Sequence, residues 1–165
     1  SELTAAQVGK LGHVRRDPMA MFPFCGYNMA DYFRHWFKMG KLMKNPPKVF
    51  HVNWFRTDKD GRFLWPGFGE NLRVLEWILD RCKNKVGAIR TPVGHTPQFF
   101  DIDMTGLKLS SGAMESLLEI DNKAWLEELK GIKEFFRQFK KDLPEELWEE
   151  YEALRNRLLT GVKNG

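Results

Sequence analysis

Large aromatic side chains crowd the stretch from residue 53 to residue 71, together with glycines and a proline. The aromatic residues are Trp54, Phe55, Phe63, Trp65 and Phe68. Rings that converge from several backbone segments can hold a flat ligand between their faces, and a base stacked on one ring contributes about 1–3 kcal/mol. We therefore predict that Phe55, Phe63 and Phe68 lie close together and bind a nucleobase.

Asn71 closes this stretch with a side-chain amide that carries one acceptor and two donor hydrogens. Stacking cannot choose between bases, because every base has a π-face. Guanine presents an acceptor at O6 beside donors at N1 and N2, so a fixed amide can match its edge. We predict that Asn71 reads guanine. A second interpretation stays open from the residues alone: the rings are hydrophobic core, and Asn71 only caps a helix.

The elements that position these side chains follow from the local pattern. Alternating β-branched and aromatic residues predict a strand over residues 48–55. Residues 58–61 are a turn signal, and residues 62–65 are expected to return as a short strand. A Pro-Gly loop then leads into a helix that begins at Glu70 or Asn71. One face of that helix carries Leu72, Leu75, Leu79 and Cys82.

Helical periodicity dominates elsewhere in the chain. A helix is predicted from Asn28, as its N-cap, to Lys41, before two prolines. Residues 83–106 are irregular, with short extended pieces. Three further helices follow over about residues 110–120, 121–139 and 145–161. The fold class is therefore α/β, with a few strands, several packed helices and a helical tail.

Charge is divided unevenly along the chain, although the net charge is only +4. Residues 1–100 contain 16 Lys and Arg against 8 Asp and Glu, whereas residues 101–165 contain 10 against 14. The basic first part suits an anionic ligand, and the acidic second part is typical of a solvated helical tail; two ordinary surfaces that differ by chance are the alternative. Solvated surface charge is also the interpretation for four basic residues: Lys10, Arg15, Arg16 and Arg56.

Other patterns exclude several kinds of site. No apolar run approaches the roughly 18 residues of a membrane span, and the N-terminus does not resemble a signal peptide. Cys25 and Cys82 are interpreted as free thiols of a cytosolic protein. The four histidines lack ligand spacing, and no Gly-x-x-x-x-Gly-Lys-Ser/Thr phosphate loop occurs. We therefore assign neither metal ligands nor catalytic residues within this chain.

Two motifs resemble the signature of GTP-dependent phosphoenolpyruvate carboxykinases: Phe-His-Val-Asn-Trp-Phe at residues 50–55 and Phe-Leu-Trp-Pro-Gly-Phe-Gly-Glu-Asn at residues 63–71. The resemblance extends to residues 17–28 and 74–81. It is strong over residues 1–100 and weak over the helical tail. The N-terminal residues are similar to the start of the mobile active-site lid of that family, although Gly9-Lys10-Leu11-Gly12 departs from the vertebrate pattern.

The resemblance implies a role for each matched residue. It implies that Phe55, Phe63 and Phe68 surround the base of GTP, that Trp54 lies beside the nucleotide, and that Asn71 reads the guanine edge. It also assigns a lid whose matched positions are Thr4, Ala5, Ala6, Gly9, Lys10 and Gly12. Small side chains, two glycines and the lack of an apolar period independently predict a mobile loop there. The expected division is a lid over residues 1–16, a guanine-nucleotide-binding part over 17–106, and a packing tail over 107–165.

The resemblance further implies the activity of the whole enzyme, in gluconeogenesis or anaplerosis. That enzyme converts oxaloacetate and GTP into phosphoenolpyruvate, GDP and CO₂, with a divalent metal, Mn or Mg, whose ligands lie outside this chain. The chain is then the C-terminal portion of a longer cytoplasmic, monomeric enzyme and is inactive alone, with no nucleic-acid or membrane partner. A stand-alone aromatic and basic module for single-stranded RNA is the alternative, and a structural fragment without activity is a third hypothesis.

Overall fold

In the computed structural model, which describes residues 16–161, the chain is mostly helical with one small antiparallel sheet. In chain order the elements are α1 (Met29–Leu42), α2 (Asn71–Cys82), β1 (Ile89–Thr91), β2 (Gly94–Thr96), α3 (Ser111–Leu118), α4 (Asn122–Arg137) and α5 (Glu145–Thr160). Short 3₁₀ turns cover Pro18–Ala20, Phe22–Phe24, Phe68–Glu70 and Lys140–Asp142. The predicted fold class is confirmed, and its strand content is a single hairpin. The predicted lid residues lie outside the described part of the chain.

Capping side chains explain where two helices begin. The Asn28 side chain accepts a hydrogen bond from the Ala30 backbone N–H at 3.0 Å, which confirms the predicted start of α1. The Ser110 hydroxyl accepts from the Ala113 N–H at 3.1 Å and fixes the start of α3. At the other end of the chain, α5 stops at Gly161, whose φ of 66° suits a glycine after a helix.

The chain divides into two compact units. Of the described residues, the first comprises 16–46 and 123–156, and its core is built from α1 and the segment after α4. The buried members of that core are Met29, Ala30, Phe33, Phe139 and Leu143. The Arg16 guanidinium makes two hydrogen bonds to the Glu128 carboxylate, at 2.9 and 3.1 Å, so the interpretation of Arg16 as solvated charge is wrong.

Of the described residues, the second unit comprises 47–122 and 157–161, and it contains the aromatic stretch. Its buried core residues are Trp77, Ile102 and Met114. The hairpin of β1 and β2 pairs Ile89 with Thr96. On α2, Trp77 points into the core, whereas the predicted leucine face is exposed. The division predicted at residue 106 stays a prediction.

The strand predicted over residues 48–55 is wrong, because these residues form no ladder with any described segment. Alternation reports which side chains are buried, but a strand also needs a hydrogen-bonding partner. Here Phe50 packs edge-on against Trp77, at 6.1 Å between ring centroids, while Val49 is exposed. The return strand predicted over residues 62–65 is reduced to an isolated antiparallel bridge between Thr57 and Phe63.

Candidate nucleotide-base site

Phe55 and Phe63 form an exposed pair of rings in the second unit. The Thr57–Phe63 bridge and a hydrogen bond from the Leu64 N–H to the Arg56 carbonyl, at 2.9 Å, bring the two sides of the loop together. The ring centroids are 5.9 Å apart, with 62° between the planes. Phe55 is 72% exposed and Phe63 65%. The structure therefore confirms that these two side chains lie together, and they are surface and not core.

Asp58 organises the turn that precedes Phe63. One carboxylate oxygen accepts from the N–H groups of Asp60 and Arg62, each at 2.9 Å, and the other accepts from the Arg62 guanidinium at 3.1 Å. The Arg62 backbone hydrogen bond is the main reason that the pKa of Asp58 lies below its ordinary value of 3.8. Gly61 supplies the positive φ of 79° that the turn requires.

Phe68 stands at the apex of the Pro-Gly loop. Gly67 has φ 79° and ψ −164°, a region that is almost restricted to glycine. Phe68 itself has φ 49°, which is strained for a residue with a side chain, and its ring is 95% exposed. Among the described residues its ring contacts no other ring, so its convergence with Phe55 and Phe63 stays a prediction.

Asn71 is the first residue of α2, and its side chain is held by Trp65. The Trp65 Nε1–H donates to Asn71 Oδ1 at 2.8 Å, and Trp65 is only 5% exposed. The N-cap position belongs to Glu70, whose side chain makes no capping bond. The interpretation that Asn71 only caps a helix is therefore wrong.

Arg73 locks the first turn of α2 onto the loop that follows β2. Its guanidinium forms an ion pair with Glu70 at 2.5 Å and donates to the carbonyls of Asp103, at 2.6 Å, and Thr105, at 2.9 Å. Hydrogen bonds from Thr105, first its side chain and then its backbone, lower the pKa of Asp103. The turn that carries Asn71 is thus held in place by the contacts of Arg73. Sequence reasoning missed Arg73, although the Glu70–Arg73 spacing of three residues was a signal.

Arg56 joins the ring loop to the end of α3. Its guanidinium donates to the carbonyls of Leu117, at 3.3 Å, and Glu119, at 2.7 Å, where a helix leaves its last carbonyls unpaired. The Glu119 carboxylate lies 3.7 Å away. The interpretation of Arg56 as solvated surface charge is therefore wrong: this side chain positions the backbone next to Phe55.

Trp54 differs from the three phenylalanines because it is half-buried. It lines an apolar pocket of about 130 Å³ together with Trp65, Val74 and core residues of the second unit. Trp54 is therefore part of the packed layer on which the site is built. Its predicted place beside the nucleotide is not tested by these contacts.

The described residues do not fit a metal ion. Within residues 16–161, no three His, Cys, Asp or Glu side chains come together as a ligand set. Cys25 and Cys82 are free thiols. No described helix is long and apolar enough to cross a bilayer. An open sheet face, which the single-stranded RNA alternative needs, is also missing around the rings, because the one described sheet, β1–β2, carries none of the five aromatic residues.

Comparison with known proteins gives a consistent result. Residues 1–157 match the family described as phosphoenolpyruvate carboxykinase C-terminal P-loop domain. Three similar relatives are named phosphoenolpyruvate carboxykinase [GTP]. The protein of Thermoplasma volcanium is 48% identical over 157 residues, 95% of this chain and 26% of the relative. Those of Chlamydia muridarum and Treponema pallidum are 47% and 46% identical, each over 96% of this chain and 26% of the relative. The chain thus spans about a quarter of the length of the curated relatives it matches.

Proposed function

Because the chain belongs to the family of the phosphoenolpyruvate carboxykinase C-terminal P-loop domain, we propose that it supplies guanine recognition and the active-site lid of a GTP-dependent phosphoenolpyruvate carboxykinase. The whole enzyme would decarboxylate oxaloacetate and transfer the γ-phosphoryl group of GTP to the oxygen of the resulting enolate. The products are phosphoenolpyruvate, GDP and CO₂. This chain contributes base choice, nucleotide positioning and exclusion of water.

Exposed rings that share the stretch of residues 53–71 with a fixed amide are the observation that carries the proposal. Burying a phenylalanine side chain is worth about 1.5–3 kcal/mol, so a surface with no ligand gains little from leaving three of them in water. Phe55, Phe63 and Phe68 are nevertheless each at least 65% exposed. A base stacked against them would cover this apolar surface, and the amide of Asn71 would select the base by its edge.

The surrounding contacts fit a site that is organised before the nucleotide arrives. The Asp58 turn orders the backbone before Phe63, and Arg56 ties the backbone next to Phe55 to the end of α3. Arg73 braces the turn that presents Asn71. Side chains and backbone that are already fixed lose less entropy on binding, which raises affinity and selectivity.

The remaining parts of the proposal come from family membership. Residues 1–16, with Thr4, Ala5, Ala6, Gly9, Lys10 and Gly12, form the lid that closes over the substrates and keeps water from the enolate. Residues 17–106 bind the nucleotide, and 107–165 pack on the same domain. The described residues do not fit a metal, and the Mn or Mg ion expected in the whole enzyme would be held by residues outside this chain. Light scattering of the full-length enzyme checks the proposed monomer, and cell fractionation its cytoplasmic location.

The experiment is Asn71→Ala in the full-length enzyme that contains this chain, with kcat/KM for GTP and for ATP. Leaving the polar groups of guanine unpaired is expected to cost about 1–3 kcal/mol of transition-state stabilisation, and kcat/KM for GTP falls accordingly. The preference for GTP over ATP is expected to fall with it. Asn45→Ala is the control, because Asn45 is exposed and belongs to the first unit, which contains none of the three rings. Full retention of the preference in Asn71→Ala would refute the assignment.

A further inference from the structure

The hydrogen bond between Trp65 and Asn71 determines which way the Asn71 amide faces. An indole N–H can only donate, so the amide atom 2.8 Å from it must be the carbonyl oxygen. The Nδ2 group is the other end of the amide, and among the described residues it donates to no protein oxygen. The amide therefore turns its oxygen towards Trp65 and leaves the Nδ2 hydrogens as the donors for an incoming base.

We propose that Trp65 is a positioning residue that sets base specificity by fixing the orientation of the Asn71 amide, with Oδ1 turned to the indole and Nδ2 left for the base. The inference rests on the proposed function, because it concerns the same base site. It goes further in naming which atom reads the base and which residue enforces that choice. The 6-oxo group of guanine accepts a hydrogen bond from Nδ2. The 6-amino group of adenine would meet a donor with a donor, because Oδ1, the atom that could accept from it, is turned to the buried indole of Trp65.

Burial makes this arrangement hard to reverse. Trp65 is only 5% exposed, and its side chain lines the apolar pocket with Val74, Ile102 and Met114. A flipped amide would turn Nδ2 towards the indole N–H and leave a buried donor without an acceptor. The loss of one such bond biases the two orientations by about 5- to 150-fold. An amide without this partner could rotate and pair with either purine.

The backbone keeps the two partners in register. The Asn71 N–H donates to the carbonyls of Phe68 and Gly69, so the start of α2 is tied to the loop that follows Trp65. Arg73 braces the same turn from the other side, through Glu70 and the Asp103 carbonyl. The orientation of the amide is thus a property of the folded protein before any nucleotide binds.

Trp77 provides a matched control. It lies in the same unit and is buried to almost the same extent, 6% exposed, but its Nε1–H has no hydrogen-bond partner. Trp77→Phe removes a buried indole N–H that makes no bond, whereas Trp65→Phe removes one that holds an amide. Both variants lose packing, so a difference between them in base preference reports the hydrogen bond.

The experiment measures kcat/KM for GTP and for ATP in the full-length enzyme, with thermal melting of each variant. Trp65→Phe is expected to lower the value for GTP and raise that for ATP, so that their ratio falls by about tenfold or more. Trp77→Phe is expected to change both values in parallel. In the Asn71→Ala background, Trp65→Phe should leave the ratio unchanged, because no amide is left to orient.

Asn71→Asp tests the orientation independently of packing at Trp65. One carboxylate oxygen still accepts from the indole, and the other now presents an acceptor to the base. The donor to the 6-oxo group of guanine is then lost, so kcat/KM for GTP should fall, and an unchanged kcat/KM for GTP in Asn71→Asp overturns the inference even if Trp65→Phe does not fold.

The role of Trp65 and the proposed function of the base site predict different outcomes. An unchanged ratio in Trp65→Phe, with the ratio lost in Asn71→Ala, overturns the role of Trp65 and leaves the proposed function intact. A ratio that survives Asn71→Ala removes the proposed function and this inference together.

Discussion

Replacement of Gly67 by alanine isolates the contribution of one backbone conformation to the base site. At φ 79° and ψ −164°, Gly67 occupies a region that residues with a Cβ almost never adopt. A Cβ built at this position meets no atom within 4 Å, so the methyl group has room. The perturbation is therefore conformational strain alone, without a steric clash against a neighbour.

The size of the expected effect follows from the energy of this backbone strain. Holding a non-glycine residue in such a region costs about 1–3 kcal/mol, and 1.4 kcal/mol is a factor of ten in an equilibrium constant. The strain is relieved either by partial unfolding or by rotation of the loop. Rotation moves Phe68, which follows Gly67, and the carbonyls to which the Asn71 N–H donates. A tenfold or larger loss of GDP affinity, or a loss of stability of similar size, is expected.

Gly69→Ala is the matched control. Gly69 lies two residues further along the same motif, has no positive φ, and also has open space around a built Cβ. GDP titration by tryptophan fluorescence and urea unfolding of the full-length enzyme give the two quantities for each variant. If Gly67→Ala and Gly69→Ala behave alike in both measurements, the conformational argument for the loop is refuted.

Three further predictions concern the supports of the site and the chain alone. Arg73→Met is expected to destabilise the protein by about 2 kcal/mol in urea unfolding, because several charged hydrogen bonds of a side chain only 20% exposed are lost. The control, Arg62→Met, changes a side chain that is 75% exposed and should cost less than about 1 kcal/mol. Equal losses of stability in the two variants would contradict this reasoning. Because the pKa of Asp58 is lowered in the folded state, the contribution of this carboxylate to stability is present above pH 3.8 and is lost as the pH falls through the lowered value. Asp58→Ala should abolish that part of the acid dependence in urea unfolding. An unchanged dependence of stability on pH in this variant would contradict the prediction. The isolated 165-residue chain is expected to show no carboxykinase turnover with GTP, oxaloacetate and manganese, and GDP binding no tighter than about millimolar, near −4 kcal/mol; turnover or micromolar binding in calorimetry would contradict it.

Local signals in the sequence predicted the helices well and the strands poorly. The start of α1 depends on Asn28 and the residues next to it, so it could be read from the sequence. A strand over residues 48–55 depends on a partner elsewhere in the chain, which the alternation of side chains does not reveal. The leucine repeat of α2 identified a common face but not its environment, because Trp77 and its neighbours were available to fill the core instead.

The sequence was sufficient to predict which residues belong to the candidate site, but not the contacts that hold them in place. The pairing of Phe55 with Phe63 follows from a short turn signal between them. The contacts of Arg56 with the end of α3 join residues about sixty positions apart, and no local spacing encodes them. The bond from Trp65 to Asn71 spans only six residues, but it depends on a loop conformation set by Gly67 and Phe68.

The division of the site into exposed rings and a hydrogen-bonded amide has a thermodynamic consequence. Covering apolar surface gives binding a negative heat capacity change, whereas polar groups contribute with the opposite sign and a smaller magnitude per unit area. In the proposed site, stacking on Phe55, Phe63 and Phe68 would make the enthalpy of GDP binding more negative as the temperature rises. The choice between guanine and adenine would depend on the Asn71 amide, since both purines would cover the same rings. Nucleotide binding should consequently show a negative heat capacity change, whereas the difference between the two bases should show none. In calorimetric titrations with GDP and ADP at several temperatures, the binding enthalpy should therefore change with temperature at the same rate for both nucleotides.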